Sequence, residues 1–251
     1  MSDWLQKIEQ NLAQEKLFST ATIISGNGLV GSKLLIYPDG AHDGELQPTQ
    51  LQQQVIADAR ELMRGEISAT RAYGDTQIFI EVFAPSPKLI VVGAVHTAIP
   101  LVQFGKILGF RTIVVDGRAR FATRERFPDV DQLIVEWPDE ALPKLQVNES
   151  TYVVVLTHDP KFDIPTLKTL STMNARYIGA IGSRKTRREH MQQLRAQGLS
   201  EEFLQTVYGP IGLDIGARTP EEVALSIMAE IIAARYGRRG GHLKEKSKSK
   251  T

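Results

Sequence analysis

KLIVVG (88–93), TIVVD (112–116), QLIVEW (132–137), YVVVLTH (152–158) and ARYIGAIG (175–182) are short apolar runs that recur along the second part of the chain. Unbroken apolar runs of this length read as strands covered on both faces, which is how a parallel sheet between two helix layers is written. Helices fit the intervening 97–108, 138–144 and 162–173, with a shorter turn of helix around 122–127. Five strands alternating with crossovers predict an α/β fold, a Rossmann-like doubly wound parallel sheet over 88–236. A basic helix from Ser183, a short helix near 200–207, the glycine-rich PIGLDIGAR (210–218) and a final helix complete this domain.

Upstream the texture differs. Trp4, Leu5, Ile8 and Leu12 share one face of a helix over 3–15, and LFSTATIIS (17–25) and SKLLIYPDG (32–40) read as strands joined through glycines. A second helix fits 49–64, with Leu51, Val55, Ala59 and Leu62 at helical spacing, and TQIFIEVFA (76–84) is a further strand. The order α-β-β-α-β predicts a small α+β domain over 1–85, linked by the stiff segment Ala84-Pro85-Ser86-Pro87 to the parallel-sheet domain.

A chain of 251 residues with 42% hydrophobic and 24% charged content can bury a large core, which excludes disorder and a collagen-like fold. No run approaches the roughly 18 apolar residues of a membrane helix, and MSDWLQKIEQ lacks the basic start and apolar block of a signal peptide. A soluble, cytoplasmic protein is expected. With no cysteine there is no disulfide framework, thiolate metal site, catalytic thiol or persulfide on this chain. The formal charge of +1 hides an asymmetry, because Arg235 onward holds seven Lys/Arg against Glu245 alone, leaving 23 cations against 28 anions in residues 1–234. Residues 237–251 read as a basic disordered tail without the aromatic interleaving or apolar periodicity of a nucleic-acid or membrane binder.

In an open α/β sheet the ligand crevice lies beyond the carboxyl ends of the strands, where strand order reverses. An order 3-2-1-4-5 sets Gly93-Ala94-Val95-His96 opposite Thr157-His158-Asp159, with Gly182-Ser183-Arg184 one strand further along. The first turn is an altered dinucleotide fingerprint, since Val95 stands where a glycine lets backbone amides approach a pyrophosphate. Asp116 ends the second strand at the distance expected of a ribose-binding acid. His96 and His158 are candidates for hydrogen bonding or proton exchange, and Asp159 can orient His158. No metal-ligand spacing accompanies them. Gly182 to Arg188 places four cations at a helix amino terminus, against the helix dipole, and an anion resolves that conflict. The last helix carries Thr219, Pro220 and Glu222 as a capping box and a wide stripe of Val223, Ala224, Ile227, Met228, Ile231 and Ile232. Its polar line Glu222, Ser226 and Glu230 is either a solvated face or a row of acceptors facing a ligand or partner chain.

GAVHTA (93–98), LGFRTIVVDGR (108–118), ERFPD (125–129), LTHDPKFD (156–163), YIGAIGSRKTR (177–187) and PIGLDIGARTPEEVALSIMAEI (210–231) together resemble the xanthine dehydrogenase accessory proteins, the XdhC/CoxI family. The resemblance implies a cytoplasmic, dimeric accessory factor that binds the molybdenum cofactor, a molybdopterin-type pterin with a dithiolene and a phosphate, and serves a molybdenum hydroxylase of the xanthine dehydrogenase type. Carried over position by position, it makes Gly93, His96, Asp116, Arg118, Thr157, His158, Asp159, Gly182, Ser183 and Arg184 cofactor-binding candidates. The first domain departs from the family. A GSSPR-like turn corresponds to Gly26-Asn27-Gly28-Leu29-Val30-Gly31, and the family's cysteine-bearing GSIGGGCVE-like segment to Gly44-Glu45-Leu46-Gln47-Pro48-Thr49-Gln50-Leu51, with Gln50 at the cysteine. Two alternatives stand beside the accessory reading. One is an NAD(P)-dependent oxidoreductase with Asp116 on the ribose, the other a regulatory paralogue without a ligand.

Overall fold

A computed structural model describes residues 3–246, which fall into two compact units divided between Pro85 and Ser86. The first holds α1 (Asp3–Ala13), β1 (Phe18–Ser25), β2 (Lys33–Ile36), β3 (His42–Gly44), α2 (Gln52–Gly65), β4 (Ala69–Tyr73) and β5 (Thr76–Phe83). Its strands form one antiparallel sheet in the order β3-β2-β1-β5-β4. Val55, Ile56, Ala59, Leu62 and Met63 of α2 pack against the inward residues of β1, β2 and β5, among them Ala21, Ile23, Leu34, Ile78 and Ile80. Two strands, β3 and β4, are additions to the expected α-β-β-α-β order. Strand β4 reads ATRAY, with Thr70, Arg71 and Ala72 exposed and only Tyr73 buried, so pairing with β5 rather than apolar content makes it a strand. The segment expected as a strand to residue 40 ends at Ile36, where Tyr37 to Gly40 turn.

The second unit runs β6 (Lys88–Val92), α3 (Ala98–Ile107), β7 (Arg111–Val115), β8 (Gln132–Ile134), α4 (Pro138–Ala141), β9 (Thr151–Val155), α5 (Pro160–Leu170), β10 (Tyr177–Ala180), α6 (Arg184–Ala196), α7 (Glu201–Thr206), β11 (Val207–Tyr208) and α8 (Pro220–Arg235). All six strands are parallel, in the order β11-β10-β9-β6-β7-β8. This is the expected order with a sixth, two-residue strand added at one edge. Strands β6 and β9 are buried along their whole length, and each Val or Ile so buried contributes about 1.5–3 kcal/mol relative to exposure. Their side chains alternate between two cores. Leu89, Val91, Tyr152 and Val154 face α3 and α8, while Ile90, Val92, Val153 and Val155 face α5 and α6. The result is a doubly wound α/β domain whose chain reverses direction across the sheet between β6 and β9.

Residues 119–130 form linked turns where a short helix was expected. Side chains hold them, with Arg126 Nη1 donating to the carbonyls of Ala94 and Phe121 (2.7 Å each) and Arg124 Nη1 to that of Val130 (2.8 Å). Of the stretch read as a basic tail, residues 237–246 include one 3-10 turn at Leu243–Lys246, and 247–251 lie outside the described residues. No helix among the described residues is long and apolar enough to cross a membrane.

Candidate functional site

The carboxyl ends of β6 and β9 meet at the reversal point through Gly93 and Thr157. Gly93 has φ +109°, and a Cβ there would lie 2.9 Å from Thr157 Cγ2 and 3.1 Å from its backbone nitrogen, so only glycine fits. Val95 turns its methyl groups onto the core beneath α3 and α8. His96 is exposed just before α3, where its carbonyl accepts from Ile99 N (3.2 Å). Across the crevice Thr157 is buried and donates its hydroxyl to Asp163 Oδ1, while the same hydroxyl oxygen accepts from Asp159 N (3.3 Å). His158 is exposed in the left-handed region (φ +59°). Asp159 uses its carboxylate to cap α5, accepting from Lys161 N (3.0 Å), rather than to orient His158. Behind this loop Asp163 and His190 are both buried, with Oδ2 and Nδ1 3.8 Å apart. Burial lifts the Asp163 carboxyl above its ordinary value, against the Thr157 hydrogen bond and the His190 ring.

Asp116, at the end of β7, is buried, and the chain itself engages both carboxylate oxygens. Oδ2 accepts from Ala94 N and Arg118 Nη2 (2.7 Å each), and Oδ1 from Arg118 N and Nε (2.9 Å each). Burial opposes ionisation, but the hydrogen bonds from Arg118 and the Ala94 amide outweigh it and hold the carboxyl below its ordinary value. The Arg118 guanidinium lies over two rings, 4.8 Å from the centroid of Phe121 and 5.1 Å from that of Phe162. Phe162 is stacked in turn on Trp137 (centroids 4.5 Å, planes 11° apart).

At the end of β10, Gly182 (φ +143°) leads into α6, and Ser183 caps that helix by accepting from Thr186 N (3.0 Å). Of the four cations in this turn, Arg187 donates to Val207 O (3.2 Å) and Lys185 lies 3.9 Å from Glu189. Arg184 and Arg188 make no hydrogen bond or ion pair among the described residues. Arg184 lines a cavity of about 390 Å³ whose other wall is the glycine-rich segment from Pro210 to Ala217, with Asp214 the acid in that lining.

This wall meets the polar line of α8 at Ser226, which is buried, and Glu230, which is half-buried, while Glu222 is exposed and closes the helix cap. Glu222 Oε2 accepts from Arg218 N (2.7 Å) and Thr219 N (3.0 Å), and Ser226 Oγ donates to Leu213 O (2.6 Å). Glu230 Oε1 accepts from Gly212 N (3.0 Å) and from the buried Tyr177 hydroxyl (2.5 Å). A Cβ on Gly212 would sit 2.4 Å from Ser226 Oγ, which fixes glycine there.

The structure therefore gathers Gly93, Thr157, His96, His158, Asp159, Asp116 and Arg118 around the ends of β6, β7 and β9, while Gly182 and Ser183 lead into Arg184 on the cavity of about 390 Å³ beyond β10. The roles of Phe121, Phe162, Trp137, Asp163 and His190 were not read from the sequence. Alternating cations and aromatics in DGRARFATRERF (116–127) were the available signal for the Arg118 stack. No group of three or more His, Asp or Glu among the described residues is placed to hold a metal ion.

A six-stranded doubly wound sheet with side chains and glycine loops converging on its carboxyl edge defines a Rossmann-type α/β protein. More particularly, the chain belongs to the XdhC family: the model of the XdhC Rossmann domain matches residues 89–231. Over 161 residues it is 37% identical to a probable xanthine dehydrogenase subunit of Bacillus subtilis (strain 168), a match covering 64% of this chain and 46% of that protein. Over 90 residues it is 32% identical to the molybdenum cofactor insertion chaperone PaoD of Escherichia coli (strain K12), covering 36% of this chain and 28% of that one. The chain spans less than half the length of the curated relatives it matches. A crystal structure described as a xanthine dehydrogenase from Bacillus halodurans shares the fold, with TM-score 0.55 and 22% identity over 95% of this chain and 97% of that one.

Proposed function

We propose that this protein is a non-catalytic accessory factor that holds a phosphate-bearing molybdopterin-type ligand at the carboxyl edge of its parallel sheet and assists maturation of a molybdenum hydroxylase. It acts in the cytoplasm as a homodimer. The observation that carries the reading is Arg184, at the first position of α6 and without a partner among the described residues, on a cavity walled by a glycine-rich loop. The first turn of α6 has no acid, and each cation there opposes the helix dipole by about 0.3–1 kcal/mol, which a bound phosphate offsets. A relative named for molybdenum cofactor insertion and another for xanthine dehydrogenase support the choice of ligand and client.

The donor set fits the pterin and phosphate parts of such a group. Arg184 and the amides near Ser183 and Gly182 take the phosphate, while His96 and His158 hydrogen-bond the ligand's polar end beside Gly93, Thr157 and Asp159. Asp116 and Arg118, at the end of β7, border the site on the side away from Arg184. With no cysteine in the chain, the ligand is held without a thiolate or a persulfide. Bound cofactor supplies the molybdenum chemistry of the client enzyme, and these residues bind, orient and release it. Hydride transfer is the weaker reading, because the first turn departs from the dinucleotide fingerprint at Val95, the second glycine position.

Native mass spectrometry of protein purified from a host that makes molybdenum cofactor, before and after denaturation, tests the reading. A released pterin phosphate is expected, and Arg184→Ala should lower its occupancy at least about tenfold with an unchanged melting temperature. A released dinucleotide would replace the accessory reading with the oxidoreductase one.

A further inference from the structure

We infer that the carboxyl end of β7 is a slot for the amino-oxo-pyrimidine edge shared by pterins and guanine, and that Arg118 fills it as an internal stand-in. Asp116 turns both carboxylate oxygens toward parallel N–H donors of one planar group, Nε to Oδ1 at 2.9 Å and Nη2 to Oδ2 at 2.7 Å. The same group lies over Phe121 and Phe162 at 4.8 and 5.1 Å, and Trp137 backs Phe162. A flat, delocalised pair of N–H donors, forked onto a carboxylate and stacked on aromatic rings, has two chemical equivalents here. One is the guanidinium, and the other is a heteroaromatic ring whose N–H adjoins an amino group. The slot opens beside the strand reversal, where ligands of this fold lie.

Arg118 can leave. Its side chain is 30% exposed whereas that of Asp116 is fully buried, and when the guanidinium swings out the carboxylate keeps its bonds from Ala94 N and Arg118 N. The incoming ring then replaces two donors with two donors. Acceptor pairs in the same position meet a carboxylate and are rejected, since each bidentate match discriminates by about ten- to a hundredfold.

Calorimetric titration of the full chain with pterin, guanosine, lumazine and adenosine tests this. Lumazine carries an oxygen where pterin carries its amino group. Pterin or guanosine should bind at least about tenfold tighter than lumazine and adenosine. Arg118→Ala should tighten that binding by removing the stand-in, and Phe162→Leu should weaken it. Circular dichroism melting checks that both variants fold, and the selectivity of the unaltered protein decides the matter if they do not. Equal affinity for pterin and lumazine, weaker binding by a folded Arg118→Ala, or no binding by either protein would overturn the slot. Choice of pterin as occupant rests on the accessory reading. Guanosine bound in preference to pterin keeps the slot and removes that reading, whereas recovery of cofactor by mass spectrometry with pterin and lumazine tied keeps the reading and removes the slot.

Discussion

Adding one methyl group at position 93 sets two costs against each other in the same place. The backbone there is left-handed, and the new carbon meets Thr157 from the neighbouring strand end, so Gly93→Ala should cost about 1–3 kcal/mol in urea denaturation and abolish ligand occupancy. A loss below about 0.5 kcal/mol would show that the two strand ends are not in contact. The two buried acids of this edge respond to pH with opposite sign. Asp116 is held below its ordinary value, so its contribution is present above about pH 4 and is lost as pH falls through the folded value. Asp163 is lifted, chiefly by burial, so its contribution is complete below about pH 4 and is lost as pH rises. Asp163→Asn keeps an acceptor for Thr157 and removes the penalty on the charge, and should leave stability at pH 7 equal or higher. A loss above about 2 kcal/mol at that pH would mean an ionised Asp163 paired with His190. Asp116 was legible from its distance beyond the first turn, but its partners were not, because spacing cannot say which of several nearby donors a carboxylate reaches.

Helix α8 shows what element-level patterns reveal and hide. Its cap and apolar stripe were readable, and the structure has Thr219 and Glu222 in a reciprocal capping box with Ala224, Ile227, Met228 and Ile231 buried. The polar line was legible only in part, with Glu222 exposed as a solvated face would have it, because periodicity assigns a residue to a face and leaves open what covers that face. Here a loop of its own chain covers Ser226 and Glu230. Glu230→Ala should strand the hydroxyl of Tyr177, which is 1% exposed, and release the Gly212 amide, costing about 1–3 kcal/mol. Faster amide exchange at Gly212 and Leu213 is the expected signature, and unchanged exchange would show that the loop holds itself. Strands β6, β7 and β9 were legible because burial on both faces forces unbroken apolar runs. Strands β4 and β11 were not, one being mostly exposed and the other only two residues long.

At the scale of the whole chain, each unit has its own core, with Val55, Ile78 and Ile80 in one and Leu89, Val153 and Ile227 among those of the other. Residues 86–251 made alone should therefore melt in a single cooperative transition and retain anion binding at Arg184. A fragment without a transition would tie the second unit's folding to the first. Within that second unit, α8 packs along α3 while hooking the 210–218 loop at Glu222, Ser226 and Glu230. One rod thus serves as the common datum for the cavity wall and for the helix that leaves the first crevice. Sliding it by a single residue would break all the hooks together, so under the proposed function adaptation to a differently sized guest would come from Asp214 to Ala217, the span of the loop between its anchors, where chain length can change without moving the frame.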